Sequence, residues 1–104
     1  MISTHILDTH LGRPASDVYV ELRQNNHIIA TAYTDKDGRI KYFTDYLAQG
    51  HYSLLYHIAP YFEQQQLTTF FPEVCIQFYI QNTQEHYHIP LLMSPYAYST
   101  YRGS

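Results

Sequence analysis

His86 and His88 flank Tyr87 in a run that continues Ile89-Pro90-Leu91-Leu92. If the run is a strand, alternation sends both imidazoles to one face and Tyr87 to the other. Imidazole titrates near neutral pH, so such a pair suits general acid–base work. With a third histidine such as His5 it would also suit a three-histidine zinc centre. The same spacing arises in an ordinary strand that carries one surface histidine and one hydrogen-bonded histidine. His5 lies in Ser3-Thr4-His5-Ile6-Leu7-Asp8, where it shares a face with Leu7. It reads either as a cleft residue or as a satisfied, buried histidine. Arg39 follows Asp37-Gly38, which puts it at the root of a strand after a tight turn. A guanidinium offers a planar fork of donors that can hold a carbonyl oxygen and stabilise charge developing there. The plain alternative is a surface arginine beside a turn. The tail, Ser99-Thr100-Tyr101-Arg102-Gly103-Ser104, is more aromatic than a frayed end usually is.

The elements that must position these groups read as short period-two runs split by turn residues. Strands are expected over Ile2 to Asp8, Asp17 to Arg23, Ile28 to Thr34, Arg39 to Phe43, Gly50 to Ile58, Val74 to Gln81, His86 to Leu92 and Ala97 to Tyr101. Leu11-Gly12-Arg13-Pro14 breaks the first run. Asn25-Asn26 reads as a hairpin turn, Asn82-Thr83-Gln84 as another, and Asp35-Lys36-Asp37-Gly38 is a strong turn signal, since Asp-Gly tolerates the positive φ that tight turns need. Pro60 to Gln66 is the one expected helix, with proline in its first turn. Pro90 cannot donate to a sheet ladder, so its strand is expected at an edge or at a bulge. Cys75 is expected to be a buried, inert thiol.

The chain is 104 residues long, with 45% hydrophobic and only 14% charged residues, and a formal net charge of −3. That length holds one core, so a single domain over residues 1–104 is expected. The low charge content, below the roughly 25% usual for soluble domains, favours burial of surface against a second copy. Six Lys and Arg with no basic stripe disfavour nucleic acid. No apolar run approaches the roughly 18 residues of a membrane span, and no signal peptide is recognisable. One cysteine excludes an intrachain disulfide, and a cytoplasmic location is expected. Twelve tyrosines and seven histidines are the compositional excess. No nucleophile elbow, phosphate loop or dinucleotide fingerprint is present.

Taken together, the motifs resemble those of the 5-hydroxyisourate hydrolases. They are Ser3-Thr4-His5-Ile6-Leu7-Asp8-Thr9, Gly12-Arg13-Pro14-Ala15, Asp37-Gly38-Arg39, Phe70-Phe71-Pro72-Glu73-Val74, His86-Tyr87-His88-Ile89-Pro90-Leu91-Leu92, Ser94-Pro95-Tyr96 and Tyr98-Ser99-Thr100-Tyr101-Arg102-Gly103-Ser104. They run in order along essentially the whole chain. The closing Tyr101-Arg102-Gly103-Ser104 resembles the hydrolase branch and not the hormone-carrying transthyretins of the same fold. Ala97 stands where the family commonly has glycine, and Met93 where leucine is common. The resemblance implies an all-β, transthyretin-like sandwich of two four-stranded sheets with one short helix. It implies a homotetramer with sites at the dimer–dimer interface, and hydrolysis of 5-hydroxyisourate to 2-oxo-4-hydroxy-4-carboxy-5-ureidoimidazoline without metal or other cofactor. It assigns catalysis to His5, Arg39, His88 and Tyr101, and substrate binding to His5, Arg39, Tyr101 and Ser104. A transthyretin-like carrier of a small ligand, a zinc hydrolase and a purely structural sandwich are the competing readings. A carrier has no need of the His5, Arg39, His88 and Tyr101 set.

Overall fold

A computed structural model describes residues 1–104. Alternation organises β1 (Ile2–Asp8): Ile2, Thr4, Ile6 and Asp8 turn into the protein and are buried, whereas His5 and Leu7 on the other face are half-buried. Next come β2 (Arg13–Pro14), β3 (Tyr19–Gln24), β4 (His27–Tyr33) and β5 (Arg39–Ile40). They are followed by β6 (Gly50–His57), helix α1 (Ala59–Glu63), β7 (Glu73–Ile80), β8 (Tyr87–Ser94) and β9 (Ala97–Thr100). The first sheet has the order β2-β1-β8-β9, with β5 also paired to β1; the second has the order β4-β3-β6-β7. Apolar residues from the two inner faces, among them Ile6, Leu22, Leu54, Leu91 and Met93, meet in a single core with Phe62 of the helix. The result is the expected two-sheet sandwich with one short helix.

Several local features follow from residue chemistry. Asn25 and Asn26 both adopt positive φ, 53° and 64°, the geometry of a two-residue hairpin turn joining β3 and β4. Proline stands in the first turn of α1, as expected, but the helix stops at Glu63, short of the expected Gln66. Gln66 is left-handed at φ 60°, which ends any helix. The strand expected over Arg39 to Phe43 is only two residues long. Arg13–Pro14, read as a break, pairs with Leu7 and Asp8 as an added short strand, so the first sheet has five strands and not four.

Two expectations need correction. Cys75 is exposed. Its neighbours Val74 and Ile76 take the inward positions of β7, so alternation sends the thiol outward. Pro90 does not lie on an edge strand, because β8 runs between β1 and β9. The carbonyls of Ile89 and Met93 accept bonds from Thr4 and Thr9 on the β1 side, so by alternation the backbone of Pro90 points the other way. There the β9 ladder has ended at Leu91↔Thr100. The missing N–H therefore falls in a gap before the tail returns to pair Gly103 with His88. A proline is tolerated inside a sheet only where no ladder donor is needed.

Candidate active site

The outer face of the first sheet brings distant segments together through register. His5 is paired with Arg39 across the antiparallel β1–β5 contact. Ser3 is paired with His88 across the parallel β1–β8 contact. Directly paired residues share a sheet face, and residues two apart along β1 do too. His5, Arg39, Ser3 and His88 therefore project to the same side.

Arg39 is placed by the turn before it. The Asp35 carboxylate accepts hydrogen bonds from the backbone N–H of Asp37 and of Arg39, both at 2.9 Å. The Asp35 N–H donates to the Arg39 carbonyl and the Gly38 N–H to the Asp35 carbonyl, each at 2.9 Å. Gly38 has φ +73°, and an added Cβ would lie 2.6 Å from the Ile6 carbonyl oxygen. Only glycine lets this turn lie against β1.

His88 is held from two directions. Its Nδ1 lies 2.7 Å from Ser3 Oγ, which is also 2.7 Å from His86 Nε2. The tail closes on its other side: the Gly103 N–H donates to the His88 carbonyl at 2.8 Å. A Cβ on Gly103 would stand 2.6 Å from His88 Cδ2, so glycine permits the tail to lie on the imidazole. Arg102 anchors that tail, with its guanidinium 4.5 Å from the Tyr87 ring centroid and 3.0 Å from Glu85 Oε1.

A cleft of about 520 Å³ opens over this face, and Arg39, His88 and Ser104 line it together with Ser3, His86 and Lys41. His5 does not line the cleft itself. It is half-buried beside Arg39 on the same face. Tyr101 lies elsewhere in the single chain. It is 62% exposed and lines a neighbouring cavity of about 280 Å³ with Ile76, Phe78 and Tyr87. His88 borders both spaces. Of the residues expected from the sequence, the fold thus gathers Arg39, His88 and Ser104 in one cleft with His5 adjacent, and sets Tyr101 next door.

Electrostatics favour neutral imidazoles here. Burial, and then the Arg39 guanidinium, push His5 below its usual value, against the opposing pull of Asp35 and Asp37. Burial lowers His88 as well, followed by Arg39, His86 and His5. A neutral imidazole can accept a proton from water, and a guanidinium nearby can stabilise an oxyanion. No group of three or more His, Cys, Asp or Glu side chains is arranged to hold a metal ion. Ser3 Oγ sits between the facing ring nitrogens of His86 and His88.

Ser3, Lys41 and Asp37 also line the cleft, although the sequence suggests a site role for none of them and marks Asp37 only as a turn residue. Ser3 bonds to residues 83 and 85 positions away, a contact with no local sequence signal. Lys41 and Asp37 were within reach of such a reading, since both stand two residues from Arg39.

The chain matches the HIUase/Transthyretin family over residues 2–103. It is 46% identical to a 5-hydroxyisourate hydrolase of Salmonella dublin, across 100% of this chain and 81% of that protein. A solved structure of 5-hydroxyisourate hydrolase from Klebsiella pneumoniae superposes with a TM-score of 0.92 at 36% identity, covering 99% of this chain and 98% of the other. Transthyretin from Sparus aurata superposes equally well, with a TM-score of 0.92, but at 27% identity over 98% of this chain and 95% of the other.

Proposed function

The chain belongs to the HIUase/transthyretin family, and from that premise we propose that it hydrolyses 5-hydroxyisourate through the cleft that Arg39, His88 and Ser104 line. The full-length likeness to named hydrolases supports the activity. The observation that carries the site is the shared cleft, in which a neutral imidazole and a guanidinium face the same space.

The substrate is a planar, oxygen-rich ring with a cyclic acyl–nitrogen bond. Opening it requires an attacking water, stabilisation of charge on the carbonyl oxygen and a proton for the departing nitrogen. His88 accepts the proton from water, and His5 helps to hold that water beside Arg39. Arg39 binds the ring oxygens and stabilises the developing oxyanion. Ser104 contacts the substrate at the rim of the cleft. The hydroxyl and ring of Tyr101 complete the site when a second subunit closes the open face. No cofactor enters this scheme, and the reaction belongs to urate breakdown in the cytoplasm.

Assembly is part of the proposal. The working enzyme is a homotetramer with sites at the dimer–dimer interface. All four residues of β9, the edge of the first sheet, are exposed. Tyr79, Tyr96, Tyr98 and Tyr101 also stand exposed, and so much aromatic surface suits burial against further copies.

The direct test generates 5-hydroxyisourate in solution with urate oxidase and follows the decay of its ultraviolet absorbance. This protein should accelerate the decay, and His88→Ala should lose about 10²–10⁴-fold of that acceleration. Wild-type turnover by His88→Ala would rule out His88 as the base.

A further inference from the structure

We propose that Ser3 and His86 form a proton relay beside His88, carrying charge along the cleft wall from the half-buried His88 to the exposed His86 and returning it later in the same turnover. This rests on His88 being the base that receives the proton of water. The geometry is a continuous chain: His88 Nδ1 to Ser3 Oγ at 2.7 Å, and Ser3 Oγ to His86 Nε2 at 2.7 Å. Both distances are short enough for hydrogen bonds that transmit a proton.

Hydrogen-bond valence sets how the chain works. A serine hydroxyl has one proton to donate and lone pairs to accept. When Ser3 donates to His86, it accepts from His88 Nδ1–H, which leaves His88 Nε2 bare and able to act as a base. When Ser3 donates to His88 instead, His88 carries its proton on Nε2 and can act as an acid. The polarity of one serine therefore switches His88 between the two roles that ring opening requires.

The protons balance through the cycle. Water gives a proton to His88 Nε2 as its oxygen bonds to the substrate carbonyl carbon. The Nδ1 proton of His88 passes to Ser3 Oγ, and the Ser3 proton passes to His86 Nε2. His88 is again neutral and bears Nε2–H, while His86 holds the positive charge. As the carbon–nitrogen bond breaks, Ser3 returns its proton to His88 Nδ1 and recovers one from His86 Nε2 while His88 Nε2–H passes to the leaving nitrogen, so His88 is never left without a ring proton. The net change is transfer of one water proton to the departing nitrogen.

The location of each group supplies the driving force. His88 is half-buried and His86 exposed. A cation on His88 is disfavoured first by burial and then by Arg39, so passing the proton on from His88 relieves the penalty of holding charge on a half-buried ring. Ser3 is only 6% exposed, which leaves its hydroxyl little room to turn away from the two imidazoles.

The test uses Ser3→Ala, His86→Ala, His86→Gln and the double variant Ser3→Ala/His86→Ala in the 5-hydroxyisourate assay. Each should lower kcat by about 10- to 100-fold, part of the range usual for acid–base catalysis, with KM within about twofold. The double variant should be no slower than either single variant, because a broken chain cannot be broken twice. Gln can accept the Ser3 hydrogen bond but cannot take the proton, so it separates relay from simple orientation. kcat in mixtures of light and heavy water should depend non-linearly on deuterium content in the wild type and linearly in Ser3→Ala. Wild-type kcat in either exposed-site variant, His86→Ala or His86→Gln, overturns the relay. If His88→Ala is inactive at the same time, the base assignment stands and only the relay falls. Full activity of His88→Ala would instead remove the base assignment on which the relay depends.

Discussion

At the scale of single residues, the site face sets imidazoles whose protonation is disfavoured beside a guanidinium. Burial and Arg39 both lower His88, so its basic form persists below the ordinary histidine value of about 6.5. A plot of kcat/KM against pH should accordingly stay flat through neutrality and fall on the acid side with a midpoint below about 6.5. A midpoint above that value would contradict the assignment of His88 as base. Replacing Arg39 with Gln removes one of the groups opposing protonation, so the midpoint should move up while kcat falls by about 10²–10³-fold, the usual loss for an oxyanion-stabilising donor. Gly103 supplies a steric test. A methyl group there would meet His88 Cδ2 at 2.6 Å and Pro90 Cγ at 3.1 Å, so Gly103→Ala should displace the tail or the imidazole. We expect about a 10-fold or greater loss of kcat, in line with the sensitivity of catalysis to small misplacements, and little change in Tm. Unchanged kcat would mean that the tail does not set the position of His88.

Elements fix what residues cannot fix alone. The turn from Asp35 to Gly38 is closed by the Asp35 carboxylate and seated on β1 by an Ile6 N–H to Gly38 carbonyl bond of 2.8 Å. Gly38→Ala adds a side chain at φ +73° and within 2.6 Å of backbone oxygen. It should cost about 1–3 kcal/mol, measured by urea unfolding, and should impair the Arg39-dependent step as well. The second sheet has its own fastening. Glu21 on β3 accepts from Arg23 at 2.7 Å and contacts His57 on β6 at 3.1 Å, and His57 also meets Glu73 on β7 at 3.4 Å. Burial opposes ionisation of Glu21, but Arg23 and His57 outweigh it and hold the carboxyl below its usual value. A carboxylate depressed in the folded state stabilises at neutral pH and loses that contribution as pH falls below the unfolded value toward the folded one. Glu21→Gln should therefore cost about 1–2 kcal/mol near pH 7, and the difference from wild type should shrink in the acid range below about 4.5. A constant difference across that range would show that ionisation of Glu21 is not involved.

For the whole molecule, the exposed site face and the aromatic surface point to assembly. Sedimentation at micromolar concentration should show a particle of four copies of the 12.3 kDa chain, and dilution that dissociates it should remove activity in parallel. A fully active monomer would contradict the proposed place of Tyr101, which in one chain borders a separate cavity. The transthyretin of Sparus aurata has the same fold to the same TM-score as the Klebsiella pneumoniae hydrolase. Fold alone therefore cannot assign the chemistry, which we propose belongs to the side chains on the outer face.

The sequence by itself determined the succession of short strands, the hairpin at Asn25-Asn26 and the turn before Arg39, because period-two alternation and turn residues are local signals; the two-sheet sandwich was implied by the family resemblance of its motifs. Its ordered motifs also pointed, through the family resemblance, to His5, Arg39, His88, Tyr101 and Ser104, of which the single chain gathers Arg39, His88 and Ser104 in one cleft and leaves Tyr101 in the neighbouring cavity. Tertiary structure decided what depends on pairing between segments remote along the chain. Parallel pairing of β1 with β8 put Ser3 between two histidines, and return of the tail placed Gly103 on His88. That same return left Pro90 facing a gap inside the sheet, where proline alone suggested an edge or a bulge. Strand register is a property of two segments together, and neither segment encodes it alone.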